Sequence, residues 1–275
     1  MTAGQQHITW IKFNSFQRKI ENKYIPLVLA PMQKVVNDFA DAGFPPAKIN
    51  DYIKLAGPLI PIINNLYYEC ATGYGGNVYR QFGNLKGISP IAAIAQKVIN
   101  TLRISLLQNV HRIEESIKNA ILSIIQDGLN NGWAYEKTAK AIKGVPDIVR
   151  SRRIVRTESV KAANLAAIEA ARQKGFLMDK IWISAKDKRV RGNPSGNYPL
   201  SEFDHFDMNG QTIPIDNKFF LGGRNGGSDE LDYPGDPAGN PADIINCRCV
   251  LGFIPKRDDN GRLIRTSQII NNFAQ

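Results

Sequence analysis

DIVRSRRIVRTESVKAANLAAIEAARQK, residues 147–174, is the stretch that decides the fold of this 275-residue chain. Asp147 follows Pro146 and is a good helix N-cap, because its side chain can accept from a free amide of the first turn. Gly175 supplies the C-terminal stop. Between them Ile148, Val155, Ala162, Leu165 and Ile168 fall on one face, and the small alanines among them permit close packing of neighbouring elements. One long helix is therefore expected over Asp147–Lys174.

Upstream, Ile113, Ile117, Ile121, Ile124, Ile125 and Leu129 recur at spacings of three and four, which predicts an amphipathic helix over 113–131. Asn130-Asn131-Gly132 ends it, and a short helix is expected at about Tyr135–Ile142. Residues 1–110 read as helical with several breaks. Pro26, Pro31 and Pro45-Pro46 interrupt or start helices, and Thr72-Gly73-Tyr74-Gly75-Gly76-Asn77 reads as a loop. Downstream of Gly175 the period changes. Short strands are expected at Lys180–Ala185, Thr212–Ile215 and Ile244–Ile254, separated by long Gly-, Pro-, Asn- and Asp-rich loops. The Gly222-Gly223-Arg224-Asn225-Gly226-Gly227 segment lacks the lysine and spacing of a phosphate-cradling loop and reads as a flexible surface loop. The fold class is α+β: a helical N-terminal region (1–110), a β-containing domain built on the long helix (111–255), and a C-terminal tail (256–275).

Charge is unevenly spread. Residues 1–191 hold 28 Lys/Arg against 14 Asp/Glu, while residues 192–275 hold 7 against 11. A basic body suits a polyanionic partner, although a solvated lysine-rich surface gives the same balance. Three cysteines, an odd and low count, argue against a disulfide scaffold and fit a reducing cytoplasm. The N-terminus shows no secretory signal. The most apolar stretch, Ile53 to Tyr68, carries Lys54, Pro58, Pro61, Asn64 and Asn65, so no membrane association is expected.

Three motifs carry chemistry. Arg150, Arg152, Arg153 and Arg156 lie three and four apart on the long helix, where guanidinium groups can grip phosphates by forked hydrogen bonds; local pairing, for example with Glu158, is the competing reading. In Trp182-Ile183-Ser184-Ala185-Lys186-Asp187-Lys188-Arg189-Val190-Arg191 one carboxylate stands among four cations. Asp187 either orients Arg189 or Arg191, or ligates a metal. In Asn246-Cys247-Arg248-Cys249 two thiols two residues apart share one face of a strand and make half of a tetrahedral zinc site, with His205 and Asp187 as the remaining candidate ligands. The alternative packs both thiols as small hydrophobes against Trp182 and the long helix.

These pieces also form an ordered set. Arg156-Thr157-Glu158 comes first, then Trp182 to Arg191, then His205 with Met208-Asn209-Gly210, then Tyr233-Pro234-Gly235-Asp236-Pro237, then Asn246-Cys247-Arg248-Cys249. The set, over about residues 110–255, resembles the Mu-F-like domain of phage minor head proteins. The resemblance makes Thr157, Glu158, Trp182, Arg189, Arg191 and Asn246 structural members of the motif. In the family the histidine lies a few residues after the arginine pair; here thirteen residues, Gly192 to Asp204, intervene. The resemblance implies a non-enzymatic head-morphogenesis protein that is made with the capsid in the host cytoplasm and resides in the virion. Its implied partners are the portal protein, the major capsid or scaffold protein, and packaged double-stranded DNA. The alternative is a virion-borne enzyme, ADP-ribosyltransferase-like through its arginine-then-glutamate order, or a metal-dependent nuclease. Against these, no second glutamate stands beside Glu158, and Asp187, His205 and the cysteines are a poor set for magnesium.

Overall fold

The structure is a computed structural model and describes residues 1–83 and 90–267. The helices are α1 (Ala3–Asp41), α2 (Ile49–Tyr52), α3 (Ala56–Cys70), α4 (Gly76–Gln81), α5 (Ile91–Asn130), α6 (Tyr135–Lys143), α7 (Ile148–Arg172) and α8 (Pro241–Ile244). The strands are β1 (Met178–Ile183), β2 (Thr212–Pro214), β3 (Phe219–Gly222), β4 (Ser228–Leu231) and β5 (Val250–Pro255). The fold is α+β, as the sequence pattern implies. Contacts group the chain into two compact units, discontinuous in sequence: residues 1–19, 67–100 and 156–275 in one, and 20–66 and 101–155 in the other.

The second unit is wholly helical. Tyr24, Val28, Met32 and Val36 of α1 are buried at spacings of four, as are Leu102, Leu106 and Val110 of α5 and, one heptad on, Ile117, Ile121 and Ile125. Prolines 26 and 31 do not break α1, contrary to expectation. Each removes one amide donor and frees the carbonyl four residues earlier, at Asn22 and Leu27. Both of those residues are exposed, so water can satisfy the freed carbonyls. The helix expected over 113–131 is the second half of the 40-residue α5.

The first unit holds the sheets. β1 is the centre of a three-stranded antiparallel sheet in the order β2-β1-β5, with Met178 opposite Pro255 and Ile183 opposite Val250. β3 and β4 form a separate hairpin. The glycine-rich segment expected to be a flexible loop is the tip of that hairpin. It is closed by Gly223 N–H donating to Gly227 O and is held by the Glu202 carboxylate, which accepts from Asn225. The Gly73–Gly76 segment is not a loop either. Ala71–Gly75 is one turn of π-helix running into α4. A Cβ at Gly75 would lie 2.8 Å from the Ala166 Cβ of α7, so these glycines allow close packing rather than a turn.

Helix α7 starts as expected: Asp147 Oδ1 accepts from Arg150 N at 2.6 Å. Ala162, Ala163, Ala166, Ala167, Ala170 and Ala171 are all buried. Ile148, assigned to the inner face, is 53% exposed. It lies in the first turn, ahead of the buried stretch. The strand expected over 244–254 begins only at Val250: Ile244 ends the short helix α8, and Asn246 turns the chain with a left-handed φ of 62°. Residues 256–267, in the segment expected as a C-terminal tail, pair with the chain ahead of β1. Leu177 N donates to Ile264 O and Thr266 N to Gly175 O, which runs this segment back beside the start of β1.

Candidate functional site

Helix α7 carries a buried polar row. Glu158 and Lys161, one turn apart, form an ion pair at 2.9 Å with side chains 4% and 0% exposed. Tyr67 of α3 donates its hydroxyl to Glu158. One turn on, the fully buried Asn164 donates to Pro234 O at 3.0 Å and to Cys249 O at 3.1 Å, and accepts from Leu251 N at 3.0 Å. A single amide thus ties α7 to the Tyr233–Pro237 motif and to the start of β5. Gly235, with φ 84°, lets that motif approach the α7 backbone, where a Cβ would stand 3.4 Å from Lys161 N.

The motif pieces meet. Thr157 Oγ1 accepts from Asn246 N at 2.9 Å, and Arg156 donates to Asn246 Oδ1 at 3.1 Å. This fixes the left-handed corner just before Cys247. Asn209 Oδ1 accepts from Ser184 N, and Gly210 N donates to Trp182 O, so the Met208–Gly210 element caps the end of β1. Phe206 N donates to Arg191 O at 3.0 Å. The thirteen-residue excursion from Gly192 to Asp204 therefore closes at its neck, and His205 returns beside Arg191.

Asp187 is held by arginines. Arg248 grips it through two nitrogens, at 2.6 and 2.5 Å, and Arg189 adds its backbone amide and a guanidinium nitrogen. The Arg248 hydrogen bonds hold its carboxyl well below the usual carboxylate range. Asp187, expected as a fourth metal ligand, does not join the thiols: the groups that come together are His205, Cys247 and Cys249, with ligand atoms all within 4.8 Å of one another. The orienting partner is Arg248 with Arg189. Arg191 instead donates to the carbonyls of Asp243 and Ile245.

Both cysteines are free and buried. His205 Nδ1 lies 3.5 Å from each sulfur, while Nε2 hydrogen-bonds the buried Asp243 carboxylate. The Trp182 ring stands edge-on to the His205 ring at 5.5 Å. Burial alone would lower the His205 pKa; Cys247 and Asp243 reverse the sign and push it up to about 9. The hydrogen bond from Cys249 holds the Cys247 thiol well below its ordinary value, while burial pushes Cys249 up. The thiols converge through the Asn246 corner and not as alternate residues of a strand. Sequence reasoning missed Asp243, Lys161, Asn164 and Tyr67, and gave Arg248 no role. Asn164 was detectable as the one amide within a run of alanines.

Of the four arginines singled out on α7, Arg152 and Arg153 are exposed. Arg150 donates to Ser116 Oγ at 2.8 Å, and Arg156 serves the Asn246 corner.

Comparison with known proteins agrees with this assembly of motifs. Residues 119–252 match the family described as Phage Mu protein F like protein. An uncharacterized protein, YqbB, of Bacillus subtilis (strain 168) is 23% identical over 164 residues, 59% of this chain and 50% of that protein. The chain thus spans about half the length of this relative. No solved structure matches it. The matched span holds Arg156-Thr157, the Asp187–Arg248 pair, His205 and both thiols, so residues 119–252 of this chain resemble the phage Mu protein F-like family.

Proposed function

We propose that the chain is a minor head-morphogenesis protein of a tailed bacteriophage, acting in procapsid assembly at the portal and contacting packaged double-stranded DNA. The family match over residues 119–252 carries this reading. Its partners are the portal protein and the major capsid or scaffold protein, and its location is the virion interior. The site supports a structural role for the motif residues. Glu158 is buried against Lys161 and Tyr67, and Asp187 is held by two arginines, so neither presents an open carboxylate to a substrate. Among the described residues no helix is long and apolar enough to cross a membrane.

The test is quantitative mass spectrometry of purified procapsids and heads. The protein is expected beside the portal protein in few copies, and particles free of it would refute the proposal. The DNA contact has its own test. A net charge of +10 supports sequence-independent binding that weakens steeply with salt. The exposed Arg152 and Arg153 make Arg152→Gln/Arg153→Gln the informative variant. If both contact phosphate, the slope of log affinity against log salt flattens by about 2. No binding at low salt by the unaltered protein would refute the DNA contact.

A further inference from the structure

We propose that His205, Cys247 and Cys249 form a zinc centre with three protein ligands, whose fourth position is an exchangeable water in a small pocket rimmed by arginines. The separations carry the proposal. A tetrahedral zinc ion about 2.3 Å from sulfur and about 2.05 Å from nitrogen sets each sulfur about 3.6 Å from the nitrogen. Both Sγ–Nδ1 separations are 3.5 Å. One imidazole nitrogen equidistant from two sulfurs is poorly explained by hydrogen bonding alone, because a single proton serves one of the two well.

The tautomer points the same way. Nε2 hydrogen-bonds the Asp243 carboxylate, so a neutral ring that donates there turns its Nδ1 lone pair toward the thiols. A carboxylate behind the far nitrogen of a histidine is the usual outer partner of a zinc-bound imidazole; it fixes the ring and raises its basicity. Asp243 sits in the short helix α8, and Arg191 holds its carbonyl at 2.7 Å. With zinc bound, the two thiolates and Asp243 would bring three negative charges into a buried corner, which the dication and the adjacent Arg191 would offset.

No fourth His, Cys, Asp or Glu joins the cluster among the described residues. Instead His205 and both cysteines line a cavity of about 20 Å³ with Arg189, Arg191, Asn246 and Arg248. That volume suits one water. Three protein ligands plus water is the pattern of an open zinc site, in contrast to the four protein ligands of a closed structural one.

Protein purified without chelator is expected to hold about one zinc per chain by elemental analysis. Cobalt(II) loaded into chelator-treated full-length protein should give a sulfur-to-cobalt charge-transfer band and intense tetrahedral d–d bands, saturating at one equivalent. Cys247→Ser and Cys249→Ser should each remove or weaken the charge-transfer band. Asp243→Asn should keep it and bind zinc about 10- to 100-fold more weakly, which tests the centre even if a cysteine variant misfolds. Added azide should shift the d–d bands. Protein without zinc whose cobalt form lacks the charge-transfer band overturns the centre. Bands that azide does not move overturn the open fourth position. Either failure leaves the head-assembly reading untouched.

Discussion

Replacing Lys161 by methionine should cost this protein more stability than any surface change on the same helix. The ammonium is fully buried and sits 2.9 Å from Glu158, which also accepts from Tyr67. Lys161→Met keeps the aliphatic length and deletes only the charge, so the Glu158 carboxylate loses its Lys161 ion pair in the core. Breaking one side of a buried pair costs about 3–5 kcal/mol. For a chain of this size each kcal/mol moves the melting temperature by about 2–4 °C, so a fall of about 10 °C is expected. Deleting both charges in Glu158→Leu/Lys161→Met removes the buried carboxylate and leaves the Tyr67 hydroxyl without this acceptor, a cost of about 1–3 kcal/mol. The double variant should therefore be more stable than Lys161→Met, and adding Tyr67→Phe should recover more. Urea unfolding followed by circular dichroism reads these proteins together with Glu158→Leu alone, which closes the double-mutant cycle. A Lys161→Met loss below about 1 kcal/mol, or costs that simply add, would refute the argument that the pair is coupled and desolvated.

Asn164→Ala removes three buried hydrogen bonds at once and should destabilise by about 3–5 kcal/mol in the same assay, with the loss concentrated in hydrogen-exchange protection of β5. Gly75→Val should lower the melting temperature through overpacking against Ala166, by about 1–3 kcal/mol, with the far-ultraviolet spectrum unchanged. Lys180 is fully buried, with a pKa lowered by burial to about 8. The unfolded chain binds its proton up to about 10.4, so between about pH 8 and 10 the unfolded state holds more protons and this lysine makes stability rise with pH. The contribution is of order 3 kcal/mol, and Lys180→Met should remove it; equal pH slopes for both proteins in melting curves would contradict the assignment.

Helix α7 was legible because a proline–aspartate start, a glycine stop and an alanine face are local signals. The two thiols and the histidine were legible as types, and the ordered motifs as a set. What was not legible depends on partners distant in sequence. Asp187 has four basic residues near it in sequence, yet its main partner, Arg248, lies 61 residues away. Gly73 and Gly75 carry the composition of a turn, yet their smallness serves packing against α1 and α7, which only the tertiary arrangement reveals. The strand expected through Cys247 failed because the short helix α8 and the left-handed turn at Asn246 override an apolar alternation. Pro26 and Pro31 misled because their cost depends on which face of the helix loses a hydrogen bond.

The closed neck between Arg191 and Phe206 makes the intervening segment a place where chain length is cheap. Once the ends are fixed by their own hydrogen bonds, doubling such a loop adds only about 0.6 kcal/mol of closure entropy. Leu200 near its outer end is 77% exposed, so added residues there would meet solvent rather than core. An epitope or small fluorescent label inserted at Leu200 could therefore report where this protein sits in an assembling particle without disturbing the corner that Arg191 and His205 share. Equally, the number of residues between Arg191 and His205 says little about how far apart the two lie, because the Phe206 N to Arg191 O hydrogen bond closes the neck.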